Sequence, residues 1–265
     1  MRIVVCVKEV LDPDAVNNYA LAGNLTMGAD GKTPQVSAIP TLINGYDEQA
    51  IEAALRLRDA GVDCTITAVS IGQDLKALLK QCAALGADEI VGIDADLAAL
   101  DSQVTANILA AYIQSSGGAD LVLCGRQASD DDQGVVPALI GEYLSMPVVP
   151  LARAVEASGS TLTVTRATPD GDEVVQGQLP AVVTVSNELG DPRFPTAKAK
   201  MAARKKKPTS IAVADLGLSP EQLAPRVILE KQYVPQVQGN CEFLEGSPAE
   251  IARTLVEKLR ADSLI

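Results

Sequence analysis

Residues 120–136, DLVLCGRQASDDDQGVV, read as a short apolar run, a glycine, a polar loop and the start of a helix. Leu121 to Cys124 has the length and continuous apolarity of a strand buried on both faces, and the helix after the loop reaches about Leu144. A buried strand feeding a helix through a polar loop is the unit of parallel sheets, and it recurs upstream. Ile3 to Val7 is an apolar run of strand type. Asp47 to Ala60 then has helical periodicity, with Ala50, Ile51, Ala54, Leu55 and Leu57 towards one side and Gly61 as the stop. Cys64 to Ile71 is β-branched and strand-like, Asp74 to Leu85 is helical up to Gly86, and Glu89 to Ile93 is a third strand. Ser102 to Gln114 forms another helix, closed by Ser115-Ser116-Gly117-Gly118. The predicted fold is α/β, doubly wound, with a mostly parallel sheet.

After Pro150 the pattern changes. Thr161 to Arg166 and Glu173 to Gln178 flank Pro169-Asp170-Gly171 and read as an antiparallel hairpin. Ala181 to Val185 is the last core strand, which closes a predicted domain over residues 1–186. From Ser186 onward prolines recur without sustained periodicity until Pro248 to Arg260, an amphipathic helix. Residues 187–265 therefore read as an extended C-terminal arm that packs on another subunit, with an ordered wrap around its own body as the alternative.

Composition agrees with a sheet core. Of 265 residues, 47% are apolar and 21% charged, with two Phe, five Tyr and no Trp, so Val, Ile, Leu and Ala must fill the interior. No stretch approaches the roughly 18 apolar residues of a membrane span. The start, MRIVVCVKEV, reads as a first strand and not a signal peptide, and a cytoplasmic location is expected. Nothing points to nucleic acid or membrane insertion. There is no histidine, which removes the usual general base, and the five cysteines contain no CxxC, so neither a zinc knuckle nor an iron–sulfur site is indicated. Gly31-Lys32-Thr33 resembles the end of a Walker loop, but the position of its leading glycine holds Thr26. With no GxGxxG and no GxSxG either, autonomous catalysis is not expected.

In open parallel sheets ligands sit beyond the carboxyl ends of the strands, at the switch in strand order. Those ends are Val7-Lys8, Ser70-Ile71-Gly72 and Cys124-Gly125-Arg126. Gly125 would let a ligand approach the backbone, and the amides opening the next helix could bind phosphate. Asp130, Asp131 and Asp132 could cap that helix, hydrogen-bond a ribose or hold magnesium. A nucleotide site, a plain capping loop and a metal site all remain open from the residues alone. The other marked feature is basic. In a chain of formal net charge -12, Arg204, Lys205, Lys206 and Lys207 arrive together, as a docking tip or a solvated loop end.

The chain resembles the beta (small) subunit of electron transfer flavoproteins. The resemblance rests on VVCVKEVLD from Val4, INGYDEQAIEAALRLRD from Ile43, AVSIG from Ala68, LGADE from Leu85 and DLVLCGRQASDDD from Asp120. LPAVVTV, DPRFP and MAARKKK follow in the same order, so it covers nearly the whole chain. It implies an adenine-nucleotide-binding domain, flavodoxin- or Rossmann-like, whose arm clasps a larger alpha subunit. The implied heterodimer carries FAD, held mainly by the alpha subunit. It takes electrons from flavin dehydrogenases, often acyl-CoA dehydrogenases, and passes them to a membrane quinone reductase. The beta subunit would bury AMP, or a second FAD in electron-bifurcating members. A stand-alone adenine-nucleotide hydrolase or sensor is the reading from another class.

By the same resemblance, nucleotide contacts fall at Cys6, Asn44, Gly45, Tyr46, Asp47 and Ile71. They continue along Gly125, Arg126, Gln127, Ala128, Ser129, Asp130, Asp131, Asp132, Gln133, Gly134, Val135 and Val136. Partner docking falls on Phe194, Pro195, Thr196, Ala197, Lys198, Lys200, Met201, Arg204, Lys205, Lys206 and Lys207. The chain departs from the family at Gly45, where Pro is usual, and at Val135, where Gln is usual and Gln133 is the near substitute. It departs again at Ala197-Lys198, where Leu-Pro is usual, and residues 13–40 match poorly.

Overall fold

β1 (Arg2–Cys6) sets the plan of the molecule, because its alternate side chains enter opposite cores. Ile3 and Val5 join the cluster containing Ile51, Leu55, Leu79 and Cys82, while Val4 and Cys6 join the one containing Val104, Ile108 and Ile140. Helices on both faces of one sheet follow directly from that two-sided burial.

The computed structural model describes residues 1–35, 39–234 and 241–265. In chain order β1 is followed by β2 (Glu9–Leu11), α1 (Pro13–Leu21), β3 (Thr26–Met27), β4 (Pro34–Gln35) and β5 (Thr41–Ile43). Next come α2 (Gly45–Asp59), β6 (Thr65–Gly72), α3 (Lys76–Leu85), β7 (Glu89–Asp94), α4 (Ser102–Ser115), β8 (Leu121–Gly125) and α5 (Val136–Leu144). β9 (Val148–Ser158), β10 (Thr161–Thr168), β11 (Gly171–Gln178), β12 (Ala181–Val185), α6 (Ala197–Lys205), β13 (Thr209–Ala212) and α7 (Pro248–Ala261) complete the described elements.

The main sheet has nine strands in the order β11-β10-β9-β12-β8-β1-β6-β7-β13. From β9 to β13 the neighbours are parallel, and β10 and β11 add the antiparallel hairpin read from the sequence. The chain runs outward from β1 through β6 to β7, then returns to place β8 on the other side of β1. The strand order therefore switches between β1 and β8, where Cys6 lies in register with Cys124. The fold is the doubly wound α/β sheet expected.

Sequence reasoning missed β9. Its Pro150 and mixed composition hide a strand that changes partners midway, pairing parallel with β12 and then antiparallel with β10. The change occurs at Leu151, which has φ 64° and whose amide donates to Thr184 Oγ1 at 3.0 Å. α1 was also missed, although Asp12-Pro13 is a helix-start signal; Asp12 accepts from the amides of Asp14 and Ala15.

The expected arm divides. Its first part belongs to the body: β13 pairs parallel with β7, and α6 packs on α3. Further on, Asn107 Nδ2 donates to the Gln222 carbonyl at 2.9 Å, and Asp101 accepts from the amides of Arg226 and Val227 at 2.6 and 3.0 Å. The compact unit accordingly spans Met1–Gln232, so the break expected at residue 186 is not where contacts thin out. The second unit, Tyr233–Ile265, contains α7, started by a reciprocal capping box between Ser247 and Glu250. No residue of α7 is buried. Among the described residues no helix is long and apolar enough to cross a membrane.

Candidate functional site

The first turn of α2 reaches across the carboxyl ends of β1 and β8. Asp47, 6% exposed, accepts the Lys8 amide at 2.8 Å with one carboxylate oxygen and the Gly125 amide at 2.9 Å with the other. Asn44, the residue before the helix, uses both ends of its side chain. Its Nδ2 donates to the Gln127 carbonyl at 2.8 Å and its Oδ1 accepts the Ser129 amide at 3.2 Å. Two side chains thereby pull residues 125–129 over the strand ends. Burial pushes the Asp47 carboxyl up to about 7, against the lowering effect of the two amides, Asn44 and Lys8.

Gly125 has a packing role that the sequence did not disclose. A Cβ there would run into Asp47 Oδ1 and lie 2.7 Å from Tyr46 Cβ, so its lack of a side chain admits α2. On the side where its Cβ would point, the space is filled by Asp47 and Tyr46. Gly134, at φ 63°, closes the loop where a Cβ would meet the Arg126 carbonyl at 2.9 Å. The Arg126 guanidinium lies over the Tyr46 ring at 5.9 Å and donates to Gln127 Oε1 at 3.1 Å.

The three aspartates do not cap the helix, since α5 has no side-chain cap. Asp130 and Asp131 receive Lys8 Nζ at 2.7 and 3.4 Å, and Asp132, at φ 52°, accepts from Gln127 Nε2 at 2.8 Å. Among the described residues no cluster of three or more His, Cys, Asp or Glu could hold a metal ion. Gln133 Oε1 accepts from Ser102 Oγ at 2.7 Å, the Ala128 carbonyl accepts the Asp132 amide at 2.9 Å, and Val135 precedes the first helical residue, Val136. Cys6 ends β1 in register with Cys124, one residue before the end of β8, and Ile71 lies one residue before the end of β6, beside β1. All three are buried. Gly45 opens α2 with open space where a Cβ would stand. Lys8 was placed at a strand end by the sequence but given no role; its distance from Asp130 in the chain left no local signal.

The basic segment is anchored in ways that the sequence did not disclose. Arg193 Nε donates to Glu52 Oε2 at 2.7 Å and Arg193 Nη2 to Glu52 Oε1 at 3.1 Å, with a further bond to Asp59 at 2.7 Å. Arg56 adds a bond to Glu52 at 2.9 Å. Burial alone would raise the Glu52 carboxyl, but the Arg193 and Arg56 bonds outweigh it and hold it below its ordinary value. Beyond this clamp Phe194 is 93% exposed and Met201 66% exposed. Thr196 caps α6 through the Ala199 amide, and Lys206 Nζ donates to the carbonyls of Ala87 and Asp88 at 2.7 and 2.6 Å. Those two docking candidates are thus engaged within the chain, while Ala197, Lys198, Lys200, Arg204, Lys205 and Lys207 are exposed and Pro195 half-buried.

A doubly wound sheet with a clamped loop at its switch point defines the class: an α/β protein whose open edge lies beyond β1 and β8. The comparisons with known proteins agree. Residues 36–216 match the family model of the electron transfer flavoprotein domain. The chain is 33% identical over the full length of both chains to caffeyl-CoA reductase-Etf complex subunit CarD of Acetobacterium woodii. It is 32% identical, again over the full length of both, to an electron transfer flavoprotein subunit beta of Thermoanaerobacterium thermosaccharolyticum. A beta subunit of Syntrophomonas wolfei is 35% identical, covering 81% of this chain and 80% of its own. The chain belongs to the electron transfer flavoprotein beta-subunit family, whose members are electron-transfer proteins that bind flavin.

Proposed function

We propose that the chain pairs with an alpha subunit and that its β1–β8 edge holds the adenosine phosphate part of a nucleotide, AMP in a simple electron carrier. The observation that carries this reading is the loop after β8, drawn across the strand ends by Asn44 and Asp47. Beside it α5 opens without a side-chain cap, and uncapped helix amides favour a phosphate. Lys8 offsets the charge of Asp130 and Asp131, which would otherwise repel one. Tyr46 and Arg126 present a planar, polar surface for the base or ribose. Bound FAD supplies the redox chemistry. This chain's residues position the nucleotide and exclude water from it, while Phe194, Met201 and the exposed lysines meet a flavin dehydrogenase, an acyl-CoA dehydrogenase being the expected donor. The acceptor is a membrane quinone reductase. α7, amphipathic and without a buried residue, suits an arm that closes on the alpha subunit.

A second reading, FAD in the same pocket of a bifurcating flavoprotein, is favoured by the full-length match to the caffeyl-CoA reductase-Etf complex subunit. The test is to co-express this chain with an alpha subunit, denature the complex and separate the released nucleotides. One FAD with one AMP supports the carrier. Two FAD without AMP supports the bifurcating subunit, and FAD alone at one per heterodimer contradicts both.

A further inference from the structure

We infer that Asp47 is the positioning residue of the nucleotide edge: its carboxylate ties the ends of β1 and β8 together and makes nucleotide retention respond to pH. The inference rests on the nucleotide reading above and deepens it. Each oxygen of the carboxylate accepts one backbone amide, Lys8 on the β1 side and Gly125 on the β8 side. These strands flank the switch in strand order, so one side chain spans the place where a ligand would lie. Protonation turns one oxygen into a donor facing an N–H donor, and one of the two ties is lost. The gap between the strand ends is then held from one side only.

The surroundings raise this carboxyl towards neutrality. Its donors are uncharged amides, and the Lys8 ammonium is drawn away to Asp130 and Asp131. From α3, the Cys82 thiol faces it and is itself pushed up to about 12, by burial first and then by Asp47 and Glu48. From β8, the Cys124 thiol is raised, by its bond with Cys6 first and by burial next. Glu48, one residue along α2, is raised by burial against a bond from Gln81. Both thiols stay protonated while Asp47, raised to about 7 by burial, gains or loses its proton.

The test uses the co-purified heterodimer. Amide hydrogen exchange is followed at about pH 6 and about pH 8 and converted to protection factors, which remove the intrinsic pH dependence. Lys8 and Gly125 are expected to lose about tenfold in protection at the lower pH. Val7, whose amide donates to the Val69 carbonyl at 2.9 Å, is the control that should not move. Bound nucleotide should leave several-fold faster at the lower pH, and Asp47→Asn should release it fast at both. Equal protection of Lys8 and Gly125 at both values overturns the inference, as does a release rate from wild type that ignores pH. If Asp47→Asn fails to fold, the wild-type measurements decide alone. A complex containing no nucleotide overturns the nucleotide reading and the retention claim together, and is told apart because the amide measurement needs no ligand.

Discussion

Asp47 and Glu52 lie on one helix, α2, and both are buried, yet their carboxyls shift in opposite directions. Asp47 ties the ends of β1 and β8 through two backbone amides, which are uncharged, so burial dominates and the carboxyl rises. Glu52 holds the loop before α6 through Arg193 and Arg56, whose charges overcome burial and lower it. The contrast separates two kinds of clamp. Amide donors fix strand ends closely but leave a proton-sensitive charge inside. Guanidinium donors make a clamp that is firm at neutral pH and weakened by acid. One end of α2 therefore ties two strand ends together, and its middle holds up a loop that presents Phe194.

The severest way to break the first clamp is Gly125→Ala. A methyl there collides with Asp47 and Tyr46, and a loss of about 3 kcal/mol in chemical denaturation is expected, together with loss of nucleotide. A loss under about 0.5 kcal/mol would show that α2 yields freely. The second clamp breaks with Glu52→Ala. That change strands Arg193 and Arg56, and about 2 kcal/mol is expected, below the cost for a fully buried pair because Arg193 is partly in solvent. Nucleotide content should stay intact, since the edge does not use Glu52.

The two clamps should also part company on titration. Asp47 is raised from 3.8 to about 7, so between those values the folded state keeps a proton that the unfolded chain releases. Its contribution to stability falls as pH rises through that window, by about 1 kcal/mol or more, and levels off above it. Glu52 is lowered from 4.5, so its contribution is present above that value and is lost as pH falls through the folded one. Denaturation midpoints of wild type, Asp47→Asn and Glu52→Gln across pH would resolve the opposing slopes; identical slopes would erase the comparison.

The smallest effects belong to the surface. Phe194→Ala and Lys205→Gln with Lys207→Gln should leave stability within about 0.5 kcal/mol, because these side chains are exposed. They should slow reduction by the partner dehydrogenase several-fold at low salt, with the lysine effect fading as salt screens it. Lys206→Gln should instead cost stability, since its ammonium holds two carbonyls after α3.

What could be read in the chain was what neighbours in sequence determine. The strand at Ala181–Val185 and the helices ending at Leu85 and Ser115 carry continuous apolar runs, periodicity and glycine stops, and they stand close to where those signals put them. The strand ends that form the candidate edge followed from that alternation. Pairings between distant residues left no trace: Lys8 with Asp130, Asp47 with Gly125, and Arg193 with Glu52 are separated by 122, 78 and 141 positions. β13 was illegible for the same reason. Thr209–Ala212 is a strand because β7 offers an open edge, and its own pattern is too short to announce it.

The central claim is that the β1–β8 edge holds an adenosine phosphate, and a crystal structure of the co-expressed heterodimer tests it most directly. Density for an adenosine group is expected against Asn44–Asp47 and Arg126, with a phosphate at the first turn of α5, whether the whole ligand is AMP or FAD. An edge filled by side chains of either subunit, with every nucleotide bound elsewhere, would contradict it.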